Sequence, residues 1–418
     1  MEYRYNFKNL DPRLKILSVV RFVRAFGRGS TFVFLPLVFI SVYNLSFIIT
    51  GLLLGFATLL MAGIQFLAGR WTDRVGRRSI LVYSQIPGVI SYLAVYYSVA
   101  VPHFLYLAIG AWYSTIVINA VQYPAVQAAV ADITSVSDRL SGFTLIRVMA
   151  NLGIAVGPLV GAYLAGYGLQ YIFLIASAAT AAEVVMLYLF MGETYTPTGM
   201  LEKKPRILRD TVKNDRFFLL FIMIGILLAF FSRQRGTSLT VYTVVLSNLP
   251  FMDLGAIWAL NGILVVILQL PLLRIMTANG NSMMWRGVGV LFYAASFVVL
   301  SAVPTLGILL LSMTISTVGE DFVSPTTQAI VTTIAPAYLK GSYIGVYNLI
   351  IASGSFAGSL VGLWLLYVFR NFSSTYWDYI AIGSLVVAFM YVAISKPFSR
   401  RMSEVDTTEV RISEGFKS

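Results

Sequence analysis

The chain has 418 residues, of which 58% are hydrophobic and only 11% charged; an average soluble domain is roughly a quarter charged, so most of this chain is expected to lie in lipid. A formal charge of +12 would suit a nucleic-acid partner, but the cations gather in short segments between apolar runs, where positive charge kept on the cytoplasmic side sets topology, and nucleic acid is set aside. With no cysteine and one histidine, His103, disulfides, thiolate catalysis and a metal centre are excluded.

Apolar runs of about 20 residues or more, each able to cross a ~30 Å hydrocarbon core, predict helices in the following order. The first covers 14–41. Nothing before it has a cleavable signal pattern, so it is expected to remain as the first span. It carries Arg21, Arg24 and Arg28 on one face, at spacings of 3 and 4. Arg21, and by extension Arg24, can snorkel to the cytoplasmic surface. Arg28 lies about 14 residues in, roughly 21 Å along the axis, and is too deep to do so. Helices at 46–69 and 78–100 flank GRWTDRVGRR, Gly69 to Arg78. So dense a cationic run is expected in a short cytoplasmic loop, where Gly69 and Gly76 allow a tight turn.

The fourth helix, 104–133, carries Asn119, Tyr123 and, near its end, Asp132. Trp112, Tyr113 and Tyr123, with Tyr242 further on, could wall a cavity or serve ordinary packing. The fifth, 139–165, contains GIAVGPLVG. There Gly153, Gly157, Pro158 and Gly161 place small residues on one face, beside a proline that removes a backbone hydrogen bond. The sixth covers 169–191. Arg147 and Glu183 read as helix-packing ion pairs or snorkelled groups.

Residues 192–215 form a long polar interior segment, and six more helices follow at 216–246, 253–277, 284–303, 305–335, 337–368 and 375–396. The seventh carries Arg233 and Arg235. The tenth carries Glu320 and Asp321 near its centre; adjacent carboxylates on a helix point about 100° apart, so one can aim fully at a cavity. Such a pair is either a proton site, tuned by burial and a nearby arginine, or a permanent salt bridge that neutralises buried charge.

The two halves repeat in sequence. YPAVQAAV at 123–130 aligns with SPTTQAIV at 324–331, and GIAVGPLVG at 153–161 with GSFAGSLVG at 354–362, both at an offset of 201. Gly51, Gln65 and Arg70 meet Gly255, Gln269 and Arg274 at an offset of 204, and RGST at 28–31 meets RGTS at 235–238 at 207. The expected organisation is a bundle over 1–191, a cytoplasmic linker over 192–215, a second bundle over 216–396 and a cytoplasmic tail over 397–418. The fold class is an all-α membrane protein of twelve transmembrane helices, arranged as two pseudo-symmetric six-helix bundles.

Gly69, Asp73, Arg74, Gly76, Arg77 and Arg78 match every specified position of the signature loop between helices 2 and 3 of the major facilitator superfamily, which the whole chain resembles. The resemblance implies parallel repeats with a substrate site between them, lined by helices 1, 4, 7 and 10. Arg28 and Arg235 would face each other there, with Arg24, Arg233, Asn119 and Tyr123 as further substrate-binding residues. It also implies a gate in which Asp73 holds the start of helix 11 near Lys340 to Ser342 and Arg77 pairs with Asp132. The cationic residues could alternatively act only as topology determinants.

GIAVGPLVG partly resembles the antiporter motif of the superfamily's exporters, and plain helix packing is the alternative. Drug exporters that resemble this chain use a helix 10 carboxylate, which points to Glu320 and Asp321 for proton coupling. The arginine that many antiporters carry in helix 4 is absent from AIGAWYSTIVINA. The reading is a secondary active transporter, not an enzyme, working by alternating access as a proton-coupled exporter of small amphipathic or drug-like compounds. The alternative is a proton-coupled importer or exchanger of organic anions, or a lipid headgroup translocator, because arginines outnumber acids at the expected midplane. The expected partners are a small-molecule substrate, protons and the bilayer, with no cofactor. The expected state is a monomer in the cell membrane with both termini cytoplasmic.

Overall fold

The computed structural model of the protein describes residues 11–135, 138–194, 215–278, 281–335 and 340–415, and within these all side chains except those of 69–74, 140, 328, 340–342 and 399–415. Twelve helices among the described residues are long and apolar enough to cross a membrane. We number them α1 (Pro12–Phe32, continued by Leu35–Leu37 and a π-turn at Val38–Val42), α2 (Phe47–Val75), α3 (Arg77–Tyr83 and Ile86–Ala100), α4 (Leu105–Ile133), α5 (Arg139–Ala165) and α6 (Tyr171–Phe190). Then follow α7 (Arg216–Ser232, Arg233–Arg235, Ser238–Val241 and Tyr242–Leu246), α8 (Phe251–Ala278), α9 (Ser282–Leu300), α10 (Leu306–Ile334), α11 (Lys340–Val368) and α12 (Ser373–Gly415).

The exposed faces are apolar: Ile90 is 65% and Leu189 63% accessible, while Gln122, Gln234 and Thr317 are fully buried. That inversion of the soluble pattern suits lipid outside and hydrogen-bonded polar groups inside. The ends of α1 and α7 are built alike. Each passes through a five-residue π-turn, Val38–Val42 and Tyr242–Leu246, and reverses at an asparagine with positive φ, 53° at Asn44 and 54° at Asn248. Asparagine tolerates the left-handed region better than other side-chain-bearing residues. The two asparagines stand 204 positions apart, one of the offsets of the sequence repeat.

Packing groups the chain into two compact units: Met1–Met200 with Gln234–Val266 and Ser359–Val368, and Leu201–Arg233 with Ile267–Gly358 and Phe369–Ser418. In the first, a core of Leu14, Leu17, Leu81, Val126, Val130 and Leu187 joins α1, α3, α4 and α6. Two close approaches in this unit repeat each other. A Cβ on Gly51 of α2 would lie 2.5 Å from the Ser359 carbonyl oxygen and 2.9 Å from Leu360 Cα; one on Gly255 of α8 would lie 2.9 Å from the Pro158 oxygen and 3.4 Å from Leu159 Cα. Only glycine permits backbones this close. In the second unit Gly289 of α9 and Gly319 of α10 cross reciprocally, each under the other's carbonyl, and the buried Trp377 of α12 stacks on Phe297 at 5.9 Å.

Two helices run past their expected ends. α2 continues through Gly69 to Val75, so Gly69 lies inside a helix and does not make the turn. The residues from Arg70 to Arg74 are compatible with a helix, and the reversal is concentrated at Gly76, whose φ of 94° is open to glycine. α12 extends to Gly415, beyond the point where hydropathy falls away.

Candidate functional site

The sequence places three cations on one stripe of α1, and the fold turns that stripe into the wall of a cavity. About 60 Å³ of space is lined by Arg21, Arg24, Arg28, Gln65, Asn119 and Tyr123, with Met61 and Ile154 among the apolar remainder. α1 is held in place by α5. A Cβ on Gly153 would sit 2.5 Å from the Phe22 carbonyl, and one on Gly157 2.5 Å from the Phe26 carbonyl, while Gly161 lies under Ser30. Pro158 contributes its ring, 3.3 Å from a Cβ placed on Gly29. The small residues of α5 thus serve a backbone-to-backbone crossing with α1, as the packing alternative expects.

Arg24 does not snorkel. It is 9% exposed and turns inward, with Nη1 3.4 Å from Glu183 Oε1 on α6 and Nη2 donating to the Asn119 carbonyl at 3.2 Å and to Asn119 Oδ1 at 2.9 Å. Asn119 is oriented by its own amide, which donates to the Thr115 carbonyl at 2.7 Å. Among the described residues neither Arg21 nor Arg28 is within ion-pair distance of a carboxylate. Of the three guanidiniums only that of Arg24 therefore has an ion-pair partner among the described residues. Buried charge of one sign is costly at membrane depth unless water or a counter-ion attends it, and Arg28 and Tyr123 are exposed to the open space. Glu183 thus makes the helix-packing ion pair that is one of its two expected roles, with a partner 159 positions away that the sequence does not identify.

Of the other expected substrate residues, Arg233 and Arg235 form the 3-10 turn of α7 and are half-buried. Arg235 does not line this cavity. On α10, Asp321 is 1% exposed and Glu320 half-buried. Trp112 is packed against Phe39 at 5.4 Å and Tyr242 is 2% exposed, so both belong to the core rather than to a cavity wall.

At the signature loop Arg77 Nε meets Asp132 Oδ2 at 3.1 Å. The side chains of Asp73, Arg74 and Lys340 to Ser342 lie outside the described residues. The start of α3 is capped by Glu193, whose carboxylate accepts from Arg77 N at 3.0 Å and Arg78 N at 3.2 Å. An acid at a helix N-terminus satisfies orphan amides and complements the dipole. Arg78 reaches back to the Tyr188 carbonyl at 3.0 Å.

A further buried cation escaped the sequence reading. Arg286 of α9 is 2% exposed, donates to the Val323 carbonyl at 3.1 Å, to Thr327 Oγ1 and to Tyr347 OH at 3.1 Å, and lies 5.1 Å from the ring centres of both Phe221 and Tyr391. Its position as the third residue of the expected 284–303 span resembles an ordinary end-of-helix anchor, and nothing local in the sequence sets it apart.

A family model described as the Major Facilitator Superfamily matches residues 17–359. YttB of Bacillus subtilis (strain 168), described as an uncharacterized MFS-type transporter, is 26% identical over 58% of this chain and 62% of its own length. Multidrug resistance protein 2 of the same strain is 25% identical over 49% of this chain and 52% of its own. The chain thus spans between half and two thirds of those two relatives. A Na(+), Li(+), K(+)/H(+) antiporter of Planococcus maritimus is 23% identical over 94% of this chain and 98% of its own. Among solved structures, a POT family transporter in complex with 5-aminolevulinic acid superposes with a TM-score of 0.78 at 14% identity, covering 94% of this chain and 98% of that one. The nucleoside transporter NupG gives 0.74 at 16%, covering 91% and 99%. These likenesses concern the fold.

Proposed function

Because the chain belongs to the major facilitator superfamily, and is therefore a multi-pass membrane transporter rather than an enzyme, we propose that it is a secondary active carrier whose cargo is a small organic anion, or a zwitterion presenting its anionic end. The observation that carries this reading is the cavity against α1, where Arg21, Arg24 and Arg28 face a space that no carboxylate lines among the described residues, Glu183 reaching Arg24 from behind. A cargo carboxylate would supply the missing negative charge and meet planar, bidentate donors. A cavity built for lipophilic cations would call for the opposite excess.

In this reading Asn119 and Tyr123 flank the cargo. Glu320 and Asp321 remain the proposed proton site on α10. Arg77 and Asp132, with Gly69, Asp73, Arg74, Gly76 and Arg78, form the proposed inner gate. The carrier works as a monomer in the cell membrane with both termini cytoplasmic.

A second reading, proton-driven export of amphipathic compounds, is favoured by the multidrug and antiporter relatives and by the glycines of α5, although those glycines are occupied in helix packing. Uptake into proteoliposomes separates the two. Purified full-length protein should accumulate anionic probes in preference to cationic and neutral ones. Arg28→Gln should lower anion uptake about tenfold or more, the equivalent of one lost charge-assisted hydrogen bond. Equal loss for every charge class would defeat the anion reading. If Glu320→Gln and Asp321→Asn both still concentrate cargo on an imposed pH gradient, the α10 assignment falls.

A further inference from the structure

We propose that Glu183 takes up one proton whenever an anion docks on the α1 arginines, so that anion and proton cross the membrane together. The inference rests on the anionic-cargo reading and adds to it a carrier residue and a direction of coupling. Arg24 stands between the cavity and Glu183, and its grip on the two sides is unequal. It holds Asn119 Oδ1 at 2.9 Å, but Glu183 Oε1 at only 3.4 Å, longer than the ~2.7–2.9 Å of a tight charge-assisted bond. An entering carboxylate competes for the same guanidinium. It also brings a second negative charge beside Glu183, which favours the neutral form of that side chain.

The groups that face Glu183 are Arg24 and Arg21 from α1 and the amide of Gln122 from α4; Tyr92 of α3 faces Arg28 and Asn119 instead. Gln122 is fixed by its Nε2, which donates to the Leu81 carbonyl at 2.7 Å, so the one charge-assisted contact that holds the Glu183 carboxylate is the long one from Arg24.

Anion and proton binding then reinforce each other, and by reciprocity each raises the affinity for the other by the same factor. The loaded site carries the same net charge as the empty one, which avoids moving an additional unpaired charge through a low-dielectric region. Exchange of a proton for an anion would require the two to displace each other, and this arrangement does the reverse. The proton comes from water on the loading side and returns to water on the other.

The test uses full-length protein in detergent with weak buffer, with benzoate and benzenesulfonate, which both stay monoanionic over the range tested, as probes. Wild type should take up about one proton per anion bound, and its affinity should fall by up to about tenfold per pH unit above the titration of Glu183. Glu183→Gln should still bind the anion, taking up about one proton fewer per anion than wild type and with a correspondingly shallower pH dependence. Uptake of protons by Glu183→Gln equal to wild type would overturn the inference while leaving the anionic-cargo reading intact. Failure of both probes to bind wild type would overturn both. Should Glu183→Gln not fold, wild type alone decides: an affinity that is flat between about pH 5 and about pH 9, without proton uptake, overturns the proposal.

Discussion

Arg24 in the first unit and Arg286 in the second are both at least nine-tenths buried, yet their surroundings differ in kind. Arg24 has a carboxylate at 3.4 Å, an asparagine and a cavity at its side. Arg286 has a carbonyl, two hydroxyls and two aromatic faces, and among the described residues no carboxylate within ion-pair distance. A guanidinium held by neutral dipoles and rings has no partner that can change its charge, so its environment is fixed. One held by an acid beside open space has a partner that can be neutralised or replaced. The first arrangement suits a structural hub, the second a switch.

The comparison predicts different costs. Arg286→Ala strips donors from Val323, Thr327 and Tyr347 and leaves a void, and should lower stability by about 3 kcal/mol or more, read as a fall in thermal midpoint in detergent. Arg24→Gln should cost less, about 1–2 kcal/mol, because Glu183 can shed its charge by protonation; its main effect should be on anion uptake. Equal destabilisation by the two variants would break the distinction. A cap outside the apolar core gives a smaller reference. Glu193→Ala, which frees the amides of Arg77 and Arg78, should cost about 1 kcal/mol, with Glu193→Gln intermediate.

The smallest effect is expected at Asp11, where Arg13 donates at 2.8 Å from both backbone and guanidinium. The hydrogen bond from the Arg13 side chain is the main reason that the Asp11 carboxyl sits below its usual range. A depressed carboxylate stabilises the fold above its unfolded pKa and loses that contribution as pH falls through the folded value. The pair is open to solvent, so its removal in Asp11→Ala should cost well under ~1 kcal/mol at neutral pH and nothing in strong acid. A pH-independent cost would mean that it acts only as a helix cap.

Much of this architecture was legible in hydropathy and spacing, and the limits of legibility follow from what those signals measure. Arg139–Ala165 is a helix over the same residues that the apolar run predicts. The Arg21, Arg24 and Arg28 stripe is a consequence of helical period alone. α2 overran its expected end because hydropathy drops at Arg70, whereas helical hydrogen bonding continues to Val75. The partnership of Arg24 with Glu183 and the cage around Arg286 depend on which helices become neighbours, which no local pattern encodes. The matched turns at Asn44 and Asn248 were open to reading, since each is followed by Leu and, three residues on, by Phe.

The most direct test of the account is crystallographic. Protein crystallised with an iodinated benzoate should show an anomalous peak in the α1 cavity, with the carboxylate against Arg24, Arg28 and Asn119. A transport-competent protein whose iodobenzoate binds elsewhere, leaving this cavity without ligand density, would contradict it.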